Sequence, residues 1–391
     1  MDRRAHERAR QTFPGLVMSR SWTAARLRVG LICATALSLI GGIAGGLTRV
    51  GVLEPSAATA TVLDHAALSH SALMICGVFG AVIAVERAVA SRSRSAFLAP
   101  LAAAIGGILL LSGQFAWGAW FAVAAAVSFV WVNLVLVRRQ DAAHTVLLAV
   151  GSVCWLIGNL RLAIRADSVA TICWWFAFLI LTIAAERLEM VRLMPKRFGA
   201  RAWLSAVLLI LLAGSLLTQW TLVIGGLLYG AALILLALWL GAFDIARRTV
   251  LAHGLSRYMA LCLLCGYAWL FIAGLAWGAT AMGWPARDVA LHAIGLGFIF
   301  SMVMGHAPVI LPAVAGIRLQ FGRHFYLPLL VLHLSLGLRL GAGLFDEQLR
   351  EIGAALNAAA IGLFALTIVA SAIAWRTHQI AAVRARQVPS S

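Results

Sequence analysis

Residues 291–312 read LHAIGLGFIFSMVMGHAPVILP, an apolar run long enough to cross a bilayer that still carries two imidazoles, His292 and His306. Fourteen positions at about 100° each return the rings to roughly one face, about 20 Å apart along the axis, so one lies near each membrane surface. Ionisable side chains inside a membrane are expensive and usually face a bundle interior or a water-filled cavity. A second apolar stretch has His65 at its outer mouth and His70 more than a turn deeper, with Gly77 and Gly80 following near the same face. Gly295 follows His292 in the same way. Two glycine-lined helices, each with a histidine at similar depth, can hold a flat macrocycle, which makes His70 and His292 candidate axial ligands of a haem. The competing reading is tight packing through small residues, with each imidazole bonded to a neighbour.

Other side chains extend the list. His333 lies near mid-depth of a later run, where a lone histidine is either a metal ligand or a hydrogen-bond partner of the next helix. Arg339 is at the depth to pair with haem carboxylates, or it snorkels to the interface. Pro308 and Pro312 each remove a backbone donor, which predicts freed carbonyls near His306 and a kink or end to the helix. Those carbonyls beside His306 suit a metal or proton site, and a histidine satisfied at a helix end suits the same pattern. Cys262 and Cys265 form a CxxC that reads as small residues at a helix interface. His144 and His253 fall among arginines and are expected in solvent. Trp174 and Trp175 read as packing, and Trp117, Trp120, Trp220 and Trp284 as interface anchors.

These residues need helices to position them. The 391 residues are 62% hydrophobic and 12% charged, which predicts an all-α polytopic membrane protein. Spans of crossing length are expected near 28–49, 65–86, 96–113, 115–137, 143–164, 168–186, 202–219, 221–243, 257–282, 288–312, 324–342 and 352–375, about twelve helices in one domain, 28–375. A basic N-terminal arm, 1–27, and a short basic tail, 376–391, flank it. The formal charge of +17 invites a nucleic-acid partner, but the distribution excludes it. Six arginines, Arg49, Arg161, Arg165, Arg287, Arg339 and Arg350, fall on one side, and all other Lys and Arg fall on the other. That is the positive-inside pattern, with both termini cytoplasmic. All six cysteines fall within spans, against a disulfide framework. Span two ends in Glu86-Arg87, span six in Glu186-Arg187, and span ten aligns Gly305-His306 with them. This echo every four spans suggests three arcs of four helices, each sending one helix to a shared centre.

The run from His70 through Met74 to Gly77 resembles the second-helix HxxxMxxG pattern of the NnrS family, haem- and copper-containing bacterial membrane proteins associated with nitric oxide and denitrification. Ala290-Leu-His292-Ala, followed by Gly295, Gly297, Met302 and Gly305, resembles that family's later ALHALTVGxxGxMxxGM signature; Gly266-Tyr267, Leu270 and Ala273-Gly274 are also similar. The resemblance implies a b-type haem held by His70 and His292, copper as a second metal, and a bacterial inner-membrane location. The pattern departs where a family histidine and glutamate are replaced by Ala72 and Leu73, a further histidine by Val314, and a methionine by His306. At the level of plan, haem ligands on spans two and ten of three arcs are similar to the catalytic subunit of haem-copper oxidases. Spans six and seven carry no histidine, however, so a copper centre of that kind is not expected.

The leading expectation is therefore a membrane haem protein, an oxidoreductase if it turns over, with His70, His292, His306 and His333 as candidate metal ligands and Arg339 as a cofactor contact. A diatomic gas such as nitric oxide, a quinol or a small redox protein, and membrane lipid are the partners this implies. The alternatives are a secondary transporter, whose commonest plan repeats in halves of six rather than in fours, and a copper-handling or assembly factor without a haem. No phosphate-binding loop, nucleophile elbow or zinc-protease spacing is present, which disfavours ATP-driven pumps and hydrolases.

Overall fold

A computed structural model describes residues 14–91, 93–165, 168–191 and 199–387, and every regular element in them is helical. Eleven helices are long and apolar enough to cross a membrane, and Ser95–Leu111 is a shorter apolar helix between them, so the protein is an all-α polytopic membrane protein. In chain order the helices are α1 (Pro14–Arg49), α2 (Ala60–Ser91), α3 (Ser95–Leu111), α4 (Phe115–Arg139), α5 (Ala143–Ala163), α6 (Ser168–Val191), α7 (Ala200–Leu217), α8 (Leu222–Phe243), α9 (Leu255–Ala281), α10 (Arg287–Ala315), α11 (Arg323–Leu344) and α12 (Glu347–Gln387). Part of the expected N-terminal arm belongs to α1, and most of the expected tail belongs to α12. Residues 1–13 and 388–391 lie outside the described residues.

Helices adjacent in sequence pack side by side, and α12 returns to touch α1. Three helices stand inside this circuit. In α6, 83% of the apolar stretch is buried and in α2 and α10 61%, against 28–50% in the other eight spans. The helices carrying the four-span echo are thus the central ones, while Trp117, Trp120, Trp220 and Trp284 are exposed to the surroundings, where lipid is the natural contact. Around the centre, Trp155 stacks on Phe178 at 5.1 Å and Phe129 meets both edge-on. Buried Asn159 of α5 joins four helices. Its Oδ1 accepts from Cys76 Sγ of α2 at 3.1 Å and from Trp175 Nε1 of α6 at 2.8 Å, and its Nδ2 donates to Ala122 O of α4 at 2.7 Å.

Two of the central helices change pitch part-way. Leu73–Gly80 in α2 and Ala293–Phe300 in α10 are π-helical, eight residues each, beginning three residues after His70 and one after His292. A π turn accommodates an extra residue, and one extra residue rotates everything beyond it by about 100° relative to an uninterrupted α-helix. The glycines expected to line a macrocycle are displaced accordingly. A side chain at Gly77 would meet Ser38 of α1, and one at Gly80 would strike Trp155 of α5, so both serve helix packing. Gly295 alone of the three faces open space.

The close approach at His70 comes instead from α1, whose run Gly41-Gly42-Ile43-Ala44-Gly45-Gly46 lies against α2. A methyl at Gly45 would collide with the backbone of Ala66, and one at Gly46 would lie 2.8 Å from His70 Cε1. Small residues spaced this way let two membrane helices touch backbone to backbone. Gly45→Ala is accordingly expected to force α1 and α2 apart, at a cost of about 1–3 kcal/mol. Thermal unfolding in detergent measures this, with Gly30→Ala, which meets nothing, as the control.

Of the kink or end expected at the prolines of α10, the end does not occur there. The helix continues through Pro308 and Pro312 to Ala315 and stops at Gly316, whose φ of +69° suits a glycine C-cap. His144, expected in solvent, is buried, because α5 begins at Ala143 and carries the ring into the bundle.

Candidate functional site

The imidazoles of His70 and His292 face one another near one end of the bundle, ring centroids 6.4 Å apart and planes inclined by 33°. Each is held through Nδ1. His70 Nδ1 lies 2.6 Å from Gly42 O, and a carbonyl can only accept, so Nδ1 carries the proton. His292 Nδ1 donates to Asp288 Oδ1 at 2.8 Å, one turn back on the same helix. With the proton of each ring on Nδ1, the lone pair that could meet a metal is on Nε2, and a carbonyl or carboxylate behind Nδ1 is the usual support of a metal-binding histidine. Asp288 is fixed in turn by Arg339, whose Nε donates to Oδ2 at 3.1 Å and Nη2 to Oδ1 at 2.9 Å. Arg339 Nη2 also lies 3.3 Å from His292 Nε2, so Arg339 reaches the site through the carboxylate and the ring.

A cavity of about 740 Å³ opens at this pair, lined by both histidines, Gly46, Gly295, Met74 and the aromatic side chains of Trp175 and Phe176 among others. That lies within the usual range for cofactor sites. Trp175, for which the sequence favours packing over a cofactor wall, is both packed and a cavity wall. Were a haem present, these two rings would be the residues to hold its iron, and their 6.4 Å separation is of the order that two metal–imidazole bonds of about 2 Å would span. The observed separation, the two Nε2 lone pairs and the cavity fit a haem held between α2 and α10.

The other two candidate ligands are engaged elsewhere. His333 Nδ1 accepts the indole N–H of Trp269 at 3.0 Å, which puts the ring proton on Nε2, buried and without a partner. That tautomer offers a metal no lone pair. His306 Nδ1 donates to Met302 O at 2.7 Å, and its Nε2 accepts from Arg187 Nη2 at 2.7 Å. Among the described residues no three His, Cys, Asp or Glu side chains gather into a site for a bare metal ion. Cys262 and Cys265 are free thiols, and Cys262 packs close to Gly305 of α10.

Toward the opposite end the echo positions of the central helices meet. Arg87 Nη2 of α2 lies 3.2 Å from Glu86 and 3.5 Å from Glu186 of α6, while Arg187 of α6 reaches His306 of α10. Beside them Asp244, just past α8, accepts the N–H of Ala246 at 2.7 Å, and burial pushes its carboxyl above the usual range. One guanidinium thus separates two half-buried carboxylates. Arg87→Gln is expected to leave Glu86 and Glu186 facing each other and to cost about 1–3 kcal/mol; adding Glu186→Gln should recover most of it. A double-mutant cycle by chemical unfolding measures the difference.

The sequence model of one family, a domain of unknown function designated DUF8744, matches residues 28–373. The chain belongs to that family. The matched region contains both the His70–His292 site and the Glu-Arg cluster. No curated protein and no solved structure matches the chain.

Proposed function

We propose that this DUF8744 protein is a haem-binding protein of the bacterial inner membrane, of the NnrS type, with the iron held between His70 of α2 and His292 of α10. The observation that carries the reading is the 6.4 Å separation of two imidazoles whose Nδ1 atoms are both supported from behind. The pair lies at the end opposite the more basic side, which in the positive-inside orientation is the periplasmic end, with both termini cytoplasmic. A haem held there by His70 and His292 would supply one-electron transfer or capture of a diatomic gas such as nitric oxide. The protein's own part is to fix two rings in one tautomer, exclude lipid from the cavity and hold Asp288 behind His292. Two imidazole ligands favour electron transfer over gas binding. A quinol or small redox protein would be the electron donor, and nitrosative-stress metabolism the setting.

A visible spectrum of the detergent-purified protein tests this. A Soret band with the sharp reduced bands of a six-coordinate haem is expected. A colourless preparation from haem-replete cells that also takes up no added hemin would remove the reading, and a colourless protein that moves a labelled solute would put a carrier in its place.

A further inference from the structure

The six arginines at the His70 end of the bundle are Arg49, Arg161, Arg165, Arg287, Arg339 and Arg350. Arginine is scarce on this side, yet all except Arg161 line one cavity, the one that contains His70 and His292. They arrive from α1, from the turn after α5, and from α10, α11 and α12, so no single helix face accounts for the gathering. Arg161 is turned away and donates to Gln219 Oε1 at 2.8 Å. Among the described residues the lining holds one carboxylate, Asp288. Asp288 offsets Arg339, and Glu347 offsets Arg350 across 2.7 Å. Arg49 and Arg165 add positive charge at the mouth, Arg165 with its backbone in the left-handed region at φ 53°. Like charges set in a low-dielectric wall focus their field into the cleft they line.

We infer that the mouth of this cavity is an anion-binding vestibule that admits a carboxylate or small oxyanion above the two imidazoles. The inference goes beyond the haem reading and does not need it, because the arginines converge whether or not iron is bound. The same chemistry has two sources, the carboxylates of a haem in the cavity and a free anion entering from outside.

The test compares haem-free and haem-loaded protein in detergent at low ionic strength. Inorganic phosphate, nitrite and succinate are the probes, read by displacement of radiolabelled phosphate. Saturable binding to the haem-free protein is expected, weakened at least about tenfold in the Arg49→Gln/Arg165→Gln double variant and little changed in Arg161→Gln. Binding that survives haem loading assigns a free anion; binding that haem abolishes assigns the arginines to the cofactor's own carboxylates. Both outcomes support the vestibule. Absence of saturable binding to the haem-free protein, or equal weakening by Arg161→Gln and the double variant, overturns it. Unfolding temperatures of the variants show that the fold is kept. A protein that binds phosphate but never haem would retain the vestibule and lose the haem reading.

Discussion

His70→Ala and His292→Ala are each expected to leave less than about a tenth of the wild-type Soret absorbance after purification, since removing a ligand costs more than the 10–100-fold typical of its supports. His333→Ala and His306→Ala should keep the band. The contrast follows from tautomers. A carbonyl or carboxylate behind Nδ1 puts the lone pairs of His70 and His292 on Nε2, where His292 meets only the longer 3.3 Å approach of Arg339 Nη2. In His333 the Trp269 indole consumes the Nδ1 lone pair, and in His306 the Arg187 guanidinium consumes that of Nε2. Free imidazole added to His292→Gly should restore part of the band, which separates a missing ligand from a collapsed bundle. An undiminished spectrum in His70→Ala would end the two-histidine assignment.

Asp288 offers the second large effect, with two readouts that should part company. Its carboxylate serves His292 and Arg339 together, and the Arg339 side chain is only 10% exposed. Removing one member of a buried pair typically costs 3–5 kcal/mol, but the Asp288 side chain is 36% exposed and solvent screens part of that, so Asp288→Ala should cost about 2–3 kcal/mol. Adding Arg339→Met takes away the stranded cation and should recover most of the loss in thermal unfolding. Haem affinity should not recover. With no carboxylate behind Nδ1, the ring of His292 loses its fixed tautomer, and a 10–100-fold weakening in hemin titration is expected for both variants. A double variant that regains haem affinity along with stability would make Asp288 a structural residue only.

Hydropathy laid out the helices, because crossing the hydrocarbon core demands a minimum apolar length of about 20 residues in each span. The Glu-Arg echo was also legible, and the Arg87–Glu186 and Arg187–His306 contacts are its spatial counterpart. What escaped was non-local or invisible to composition. Arg339 stands 51 positions from Asp288, and nothing in either neighbourhood announces the pair. Asp288 itself was within reach, since Asp-x-x-x-His on a helix sets the carboxylate under the ring. So was the run of paired glycines in α1, a familiar sign of helices in backbone contact. The faces of Gly77 and Gly80 were misplaced because the π turns alter hydrogen bonding without altering hydrophobicity.

Those wide turns also bear on how such a protein can change over generations. In α2 and α10 the stretch bearing the imidazole and the stretch bearing the Glu-Arg or His306 position are joined by a segment that absorbs one residue more or less. Gain or loss of a single codon there would re-aim one half of the helix while the other half kept its neighbours. The two ends of the bundle can therefore be tuned separately by selection, even though they share the same three helices.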